Sequence, residues 1–165
     1  MKKVLTYLFV ALILSYALHW LMLEGIRKNN NGIYAKFNTA FEKVNNYDVV
    51  FLGSSRAEVH FNPKVYDSIC HTHSYNLGME GADLEFSFQI LKAYLVHSKK
   101  PKKIILSIDH VFNFDKADTV FMYPRYFPYL NNDALYKGIS KIDKRFIGFK
   151  WIPFYAMGHM GPKYV

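Results

Sequence analysis

The stretch of sequence that decides the fold is Asp48-Val49-Val50-Phe51-Leu52-Gly53-Ser54-Ser55. Its consecutive apolar residues, with no polar residue alternating among them, are typical of a short strand that is buried on both faces of a parallel sheet. A glycine and two serines then end the apolar run abruptly, as expected for a turn that leads from a strand into a helix. The stretch therefore predicts a parallel strand that is buried on both faces and followed by a βα loop.

Strand and helix signals continue on both sides of this stretch. Residues 74–77 and 103–109 are predicted to be two further short strands. A helix over residues 83–97 is predicted from apolar residues at helical spacing, which are Leu84, Phe88, Leu91 and Leu95. An earlier helix is predicted in the same way from Tyr34, Phe37, Phe41 and Val44, and another is expected over residues 134–146. Strands that alternate with helices favour an α/β fold with a parallel sheet.

The N-terminal segment is apolar, because residues 4–23 contain no charged side chain. Twenty helical residues cover about 30 Å, which is the thickness of the hydrocarbon core of a bilayer. Ser15-Tyr16-Ala17 resembles a signal-peptidase site, so a cleaved signal peptide is the alternative. The apolar run continues to Leu23, which favours an uncleaved membrane anchor. Basic residues are nearly balanced across the segment and do not select an orientation.

These patterns divide the chain into three parts. We expect a membrane anchor over residues 1–28, a linker with an amphipathic helix over residues 29–46, and an α/β domain over residues 47–165. The net charge of +8 is divided equally between two parts of the chain, because residues 1–45 and residues 46–165 each have a surplus of four basic residues. The domain is therefore only mildly basic, and without a basic stripe or a known module we expect no nucleic-acid partner.

Two smaller features limit the possible sites. The lysines around Pro101 are interpreted as a solvated loop, and contact with anionic lipid or an envelope polymer is the alternative. The single cysteine, Cys70, excludes an intrachain disulfide and a cysteine-based metal site. His71 and His73 suggest a pair of metal ligands, but no carboxylate or third histidine clearly completes a site, and we expect no metal.

Three predicted strand ends carry glycine or polar residues, at residues 53–55, 78–81 and 109–110. The carboxyl ends of parallel strands share one edge of the sheet, where ligands bind in α/β proteins. Backbone N–H groups at such turns suit an oxyanion or a phosphate. The alternatives are that the serines cap a helix and that the glycines only permit turns.

The sequence resembles a known family in three stretches, which are residues 48–57, 75–81 and 101–109. They are similar to blocks of the SGNH/GDSL-like hydrolases and acyltransferases of bacterial envelopes. The resemblance implies a flavodoxin-like three-layer sandwich on the extracytoplasmic side of the membrane. It makes Ser55 the nucleophile and assigns oxyanion donation to Gly78, or to Gly81 as the second choice. The implied chemistry is hydrolysis or transfer of acyl esters on envelope carbohydrate or lipid, without a cofactor.

Four more residues are candidates for the same site. Asn76 belongs to the second block, and Asn113 is a loose match to an oxyanion-donating Asn of the family. Arg56 is a candidate for binding an anionic group beside Ser55, or is simply a surface residue at a helix start. Asp109 either caps the turn after its strand or orients the substrate.

The sequence departs from the family in its last block. That block carries an Asp and a His three residues apart, and nothing here matches it. A serine hydroxyl needs a base to become a good nucleophile, and His110, at a strand end, is the best-placed histidine. We therefore expect a truncated domain with impaired activity and an exposed apolar sheet edge. An inactive anchored binding or scaffold module, or a gene remnant, is the alternative.

Overall fold

The computed structural model describes residues 2–108 and 118–158. In chain order, the helices and strands of this part are α1 (Lys2–Arg27), α2 (Gly32–Phe41), β1 (Val49–Leu52), α3 (Ser55–His60), α4 (Pro63–Cys70), β2 (Ser74–Asn76), α5 (Leu84–Tyr94), β3 (Lys103–Leu106), α6 (Asp133–Ile142), α7 (Arg145–Trp151) and α8 (Tyr155–Gly158). Two short 3-10 turns, Tyr123–Arg125 and Phe127–Tyr129, lie between β3 and α6.

The three strands form one parallel sheet in the order β2–β1–β3. Val50 of β1 pairs with Tyr75 on one side and with Ile104 on the other. All four residues of β1 are buried, as expected for a central strand with both faces covered. The α/β class, the parallel sheet and the burial of β1 on both faces are thus confirmed.

The β3 strand lies at an edge of this sheet and is largely exposed. Ile104 and Leu106 are 44% and 38% exposed, although both are apolar. Within the described residues, β3 pairs only with β1, so its outer edge has no neighbouring strand there. The expected apolar sheet edge is therefore present.

Helix α2 belongs to the core. Phe37, Ala40 and Phe41 are fully buried, and they pack in the same cluster as Val50 of β1. The predicted helix is confirmed, but it ends at Phe41. Val44 lies beyond that end and is exposed, so its prediction as part of the buried face is wrong.

Helix α5 is confirmed, but of the four residues in its predicted apolar stripe only Leu91 is buried. Asp83 caps its N-terminus by accepting a hydrogen bond of 2.6 Å from the N–H of Phe86. The buried residues include Phe86, Ile90 and Tyr94, whereas Leu84 and Phe88 of the predicted apolar stripe are exposed. Because α5 is apolar on both sides, the periodicity alone did not select the side that packs against the core.

The helix predicted over residues 134–146 is two helices. Asp143 ends α6, and its carboxylate accepts hydrogen bonds from the N–H groups of Val120 at 3.2 Å and Arg145 at 3.0 Å. This buried carboxylate therefore breaks the helix where the sequence pattern would have continued it.

Helix α1 is long and apolar enough to cross a membrane. Near its end, Met22, Leu23 and Ile26 pack against the core of the domain. Arg27 also donates a hydrogen bond of 3.0 Å to the carbonyl oxygen of Pro128. The anchor-like helix and the domain are therefore in direct contact.

Candidate functional site

The first loop of the candidate site follows β1. Gly53 has φ of +138°, which favours glycine, and the chain then turns into α3. Ser54 is the N-cap, because its hydroxyl accepts a hydrogen bond of 3.2 Å from the N–H of Arg56. Ser55 is the first residue of α3 and is exposed. The two serines thus have different positions, one capping the helix and the other facing solvent.

The loop after β3 touches the first loop. A Cβ atom added to Gly53 would lie 2.8 Å from the Cβ of Ser107. The N–H of Ser107 donates to the carbonyl oxygen of Leu52 at 2.9 Å, which extends the strand pairing beyond β3. Gly53 is therefore required here by both its backbone angle and the lack of space.

The loop after β2 meets the first loop from the other side. The N–H of Leu77 donates to Phe51 at 2.8 Å, and the N–H of Met79 donates to Gly53 at 3.0 Å. A Cβ atom added to Gly78 would lie 2.7 Å from the backbone nitrogen of Glu58 in α3. The strand ends near residues 53, 78 and 107 therefore converge at one edge of the sheet. The third predicted strand end, at residues 109–110, lies outside the described residues.

Asn76 connects the second loop to the end of α3. Its side-chain amide donates to the carbonyl oxygens of Ala57 at 2.7 Å and Phe61 at 2.9 Å. Its side-chain oxygen accepts a hydrogen bond of 2.8 Å from the N–H of Gly78. The Gly78 donor, predicted to face an oxyanion, is thus occupied by Asn76, and the buried Asn76 side chain holds the loops in place.

The remaining predicted residues have varied positions. Gly81 has φ of +71°, and a Cβ there would lie 2.5 Å from the Phe121 side chain, so only glycine fits, although Gly81 itself is exposed. Arg56 is exposed beside Ser55. The described residues do not include Asp109, His110 and Asn113, so their roles remain predictions. These three candidates are Asp109 for orienting substrate, His110 for the base and Asn113 for oxyanion donation.

Two of the histidines that the structure describes make contacts away from Ser55. His60 lies 2.9 Å from the carbonyl oxygen of Arg56 through Nδ1, and the ring of His73 packs on Tyr47 at 4.5 Å between centroids. In residues 2–108 and 118–158, no group of three or more His, Cys, Asp or Glu side chains is arranged to hold a metal ion.

Sequence reasoning missed two ion pairs beside the second loop. Lys36 of α2 lies 3.0 Å from Glu58 of α3, and its ammonium group also donates to the carbonyl oxygen of Gly78. Burial lowers the pKa of Lys36, and the hydrogen bond and charge of Glu58 partly offset this effect. Arg125 pairs with Glu80 at 3.1 Å. The partners are far apart in sequence, so no local pattern indicated them.

Comparisons with known proteins add no relative. A scan against protein-family models, a search of curated proteins and a search of solved structures each found no match to the chain. The functional argument therefore depends on the residues and on the geometry of the sheet edge.

Proposed function

We propose that this chain is a membrane-anchored serine esterase or acyltransferase of the SGNH type that acts on acyl esters of envelope carbohydrate or lipid. The observation that carries the proposal is the exposed Ser55, which follows the central strand where the loops at residues 53–55, 77–79 and 107 converge. Ligands of open α/β sheets bind at this edge. A hydroxyl in this position is accessible to a substrate and lies on a rigid support.

The fold supports the proposal at a coarse level. The strand order β2–β1–β3 is the order with which flavodoxin-like sheets begin, so the finer proposal is an incomplete three-layer sandwich of that type. Residues 4–23 would anchor it in the membrane, with the domain on the extracytoplasmic side.

The proposed reaction has two steps. The Ser55 hydroxyl attacks the acyl carbonyl, its proton passes to a base, and the alcohol leaves after the C–O bond breaks. Water or an acceptor hydroxyl then attacks the acyl-enzyme and releases Ser55. Backbone N–H groups of Ser55 and the second loop would hold the oxyanion. Since the Gly78 N–H is bonded to Asn76, we assign the second donor to Gly81, and the base to His110.

One observation favours a second function. The Asn76 side chain occupies the Gly78 donor, and the same amide holds the end of α3. A preorganised oxyanion site would keep its donors open. An anchored binding module that uses the same edge of the sheet without catalysis is therefore the alternative function.

Labelling with a fluorophosphonate distinguishes the two functions, because the probe reacts covalently with an activated serine. We expect the full chain in membranes to be labelled and the Ser55→Ala variant to lose all labelling. Ser68→Ala is the matched control, since Ser68 is exposed on α4 and its hydroxyl donates a hydrogen bond of 2.8 Å to the carbonyl oxygen of Val65. This control should be labelled like wild type.

The outcomes separate the two candidates. Equal labelling of wild type and Ser55→Ala removes the serine from its role. A wild-type chain that stays unlabelled while its thermal unfolding remains cooperative favours the binding module. The Ser54→Ala variant should keep its label at a lower melting temperature, because it loses a helix cap worth about 1 kcal/mol.

A further inference from the structure

An exposed apolar surface lies on the last two helices of the described chain. Trp151 is 59% exposed, and its neighbours on this surface are also more than one-third exposed. We call this surface the α7–α8 face, and it consists of Ile147, Trp151, Ile152, Tyr155 and Met157. Contiguous apolar surface of this kind marks a site of contact with a protein or a membrane.

The α7–α8 face lies directly beside helix α1. The hydroxyl of Tyr16 donates a hydrogen bond of 2.7 Å to the carbonyl oxygen of Trp151. The N–H of Phe154 donates to Nδ1 of His19 at 3.3 Å, and the two rings meet edge to face at 5.2 Å between centroids. Both partners in α1 belong to the uncharged run of residues 4–23.

The position of these contacts along α1 decides what surrounds the face. If the membrane boundary lay at Leu23, the level of Tyr16 would be about 10 Å inside it, at 1.5 Å per residue. If the boundary were instead placed before Tyr16, residues 2–15 would cover only about 21 Å, which is less than the roughly 30 Å of the hydrocarbon core. A spanning α1 therefore brings Trp151 into the bilayer.

The polar groups near the face are compatible with this location. The indole N–H of Trp151 donates to the hydroxyl of Tyr136 at 3.2 Å, so the exposed part of the ring is apolar. The ammonium group of Lys150 turns back to Asp133 at 3.2 Å and lies 4.1 Å from the centre of the Tyr136 ring. His19 is buried against the domain, as ionisable residues within membrane segments usually are.

We propose that the α7–α8 face is a membrane-inserted surface that occupies the interfacial part of the bilayer beside α1. The proposal rests on the part of the proposed function in which α1 spans the membrane, and it is independent of catalysis. It places the domain on the lipid surface in a fixed orientation rather than at the end of a flexible linker. Aromatic and aliphatic side chains that reach about 5–10 Å into the boundary between head groups and acyl chains are the usual means of such attachment.

The proposal bears on the substrate. Met157 of the face and Ile26 of α1 line a cavity of about 260 Å³ together with Arg125. Arg125 pairs with Glu80, which belongs to the second loop of the candidate site. The lining of this cavity is thus linked to the second loop through the Arg125–Glu80 ion pair. Access from a lipid-embedded face fits a lipid ester better than a soluble carbohydrate.

The two tryptophans of the chain allow a direct test. Full-length Trp20→Phe, which retains Trp151, is reconstituted into vesicles of phosphatidylcholine brominated either near the head group or near the chain ends. We expect Trp151 emission to be quenched by head-group-proximal bromine about as strongly as that of Trp20 in the Trp151→Phe variant. Iodide added to the water should quench Trp151 emission much less than the bromine near the head group does.

A control tryptophan checks that water-exposed positions respond to iodide. Ile69 lies on α4, which packs against β2, and it is exposed. A Trp placed there by Ile69→Trp, in the background lacking both native tryptophans, should be quenched by iodide and not by brominated lipid. Retained thermal unfolding of each variant shows that the domain is folded.

Three results would overturn the proposal. Trp151 quenched by iodide while Trp20 is quenched by lipid would leave the anchor in place and the face in water. Trp151 shielded from both quenchers would mean that a second copy of the chain covers the face. If neither tryptophan responds to brominated lipid, α1 does not span the membrane. None of these results affects labelling of Ser55, so failure of this inference and failure of the catalytic proposal are distinguishable.

Discussion

The sheet region, residues 32–106, and the C-terminal region, residues 118–158, are held together by different interactions. In the sheet region, backbone hydrogen bonds fix the strand register, and side chains such as Asn76 and Asp83 satisfy the ends of helices. In the C-terminal region, short helices and turns pack through rings, including a stacked pair of Tyr123 and Phe149 at 5.2 Å.

The difference explains where function is expected. Backbone hydrogen bonds position atoms to within a fraction of an ångström, which a catalytic or binding site requires. Aromatic packing provides buried area and adaptable surface, which suits a core and a contact with lipid. The candidate site accordingly lies in the sheet region, and the apolar α7–α8 face lies in the C-terminal region.

The largest expected effect comes from the residue at which the two regions meet. Phe37 of α2 is fully buried and stacks on Tyr126 at 5.0 Å and edge to face with Tyr129 at 5.6 Å. Phe37→Ala should lower the free energy of unfolding by about 3–5 kcal/mol, because a large cavity would separate the regions. Denaturant unfolding of the full chain in detergent measures this change.

The control for Phe37→Ala is Phe88→Ala, which removes an equal volume from a half-exposed position on α5. We expect it to cost about 1 kcal/mol or less. If Phe37→Ala and Phe88→Ala lower the free energy of unfolding by similar amounts, Phe37 does not join the regions.

A smaller effect is expected from the polar contacts of the sheet region. Asn76→Ala removes the amide that holds the end of α3 and leaves the Gly78 N–H without its acceptor, so it should cost about 2–3 kcal/mol. Asn131→Ala is its control, since the Asn131 amide donates to the Glu42 carboxylate at 3.2 Å in an exposed position. Thermal unfolding that is unchanged by Asn76→Ala would contradict a structural role for this residue.

The smallest expected effect depends on pH and concerns the C-terminal region. Burial alone would raise the pKa of Asp143, but N–H donors from Arg145 and Val120 and the Arg145 charge outweigh it, so the pKa lies below its usual 3.8. A depressed pKa adds stability above pH 3.8 that is lost as the pH falls through the native pKa. Asp143→Asn should therefore cost about 1–2 kcal/mol at pH 7 and less at low pH.

Melting temperatures between pH 7 and pH 3 test this dependence, with Asp133→Asn as the control. Asp133 is exposed and pairs with Lys150 at 3.2 Å, so its substitution should change stability by less than about 0.5 kcal/mol at any pH. If the difference in melting temperature between wild type and Asp143→Asn stays constant from pH 7 to pH 3, a depressed pKa of Asp143 is not its cause.

Sequence patterns predicted more of the sheet region than of the C-terminal region. Residues 49–52 indicated a buried strand and Asp83 a helix start, because both signals are local and involve the backbone directly. The apolar stripe predicted for α5 is buried only at Leu91, since Leu84 and Phe88 are as apolar as the residues that pack inside. In the C-terminal region, the break at Asp143 depends on Val120, a partner far away in sequence.

By itself, the sequence determined the apolar N-terminal helix, the three strands with their parallel arrangement, and the convergence of loops near Gly53 and Gly78. These features follow from the local spacing of apolar residues and from the backbone freedom of glycine, and both effects act over only a few residues. Only the tertiary structure decided that Asn76 occupies the Gly78 donor, that Lys36 pairs with Glu58, and that Trp151 lies beside α1. Such contacts join residues distant in the chain, and their partners are selected by packing rather than by any pattern within a segment.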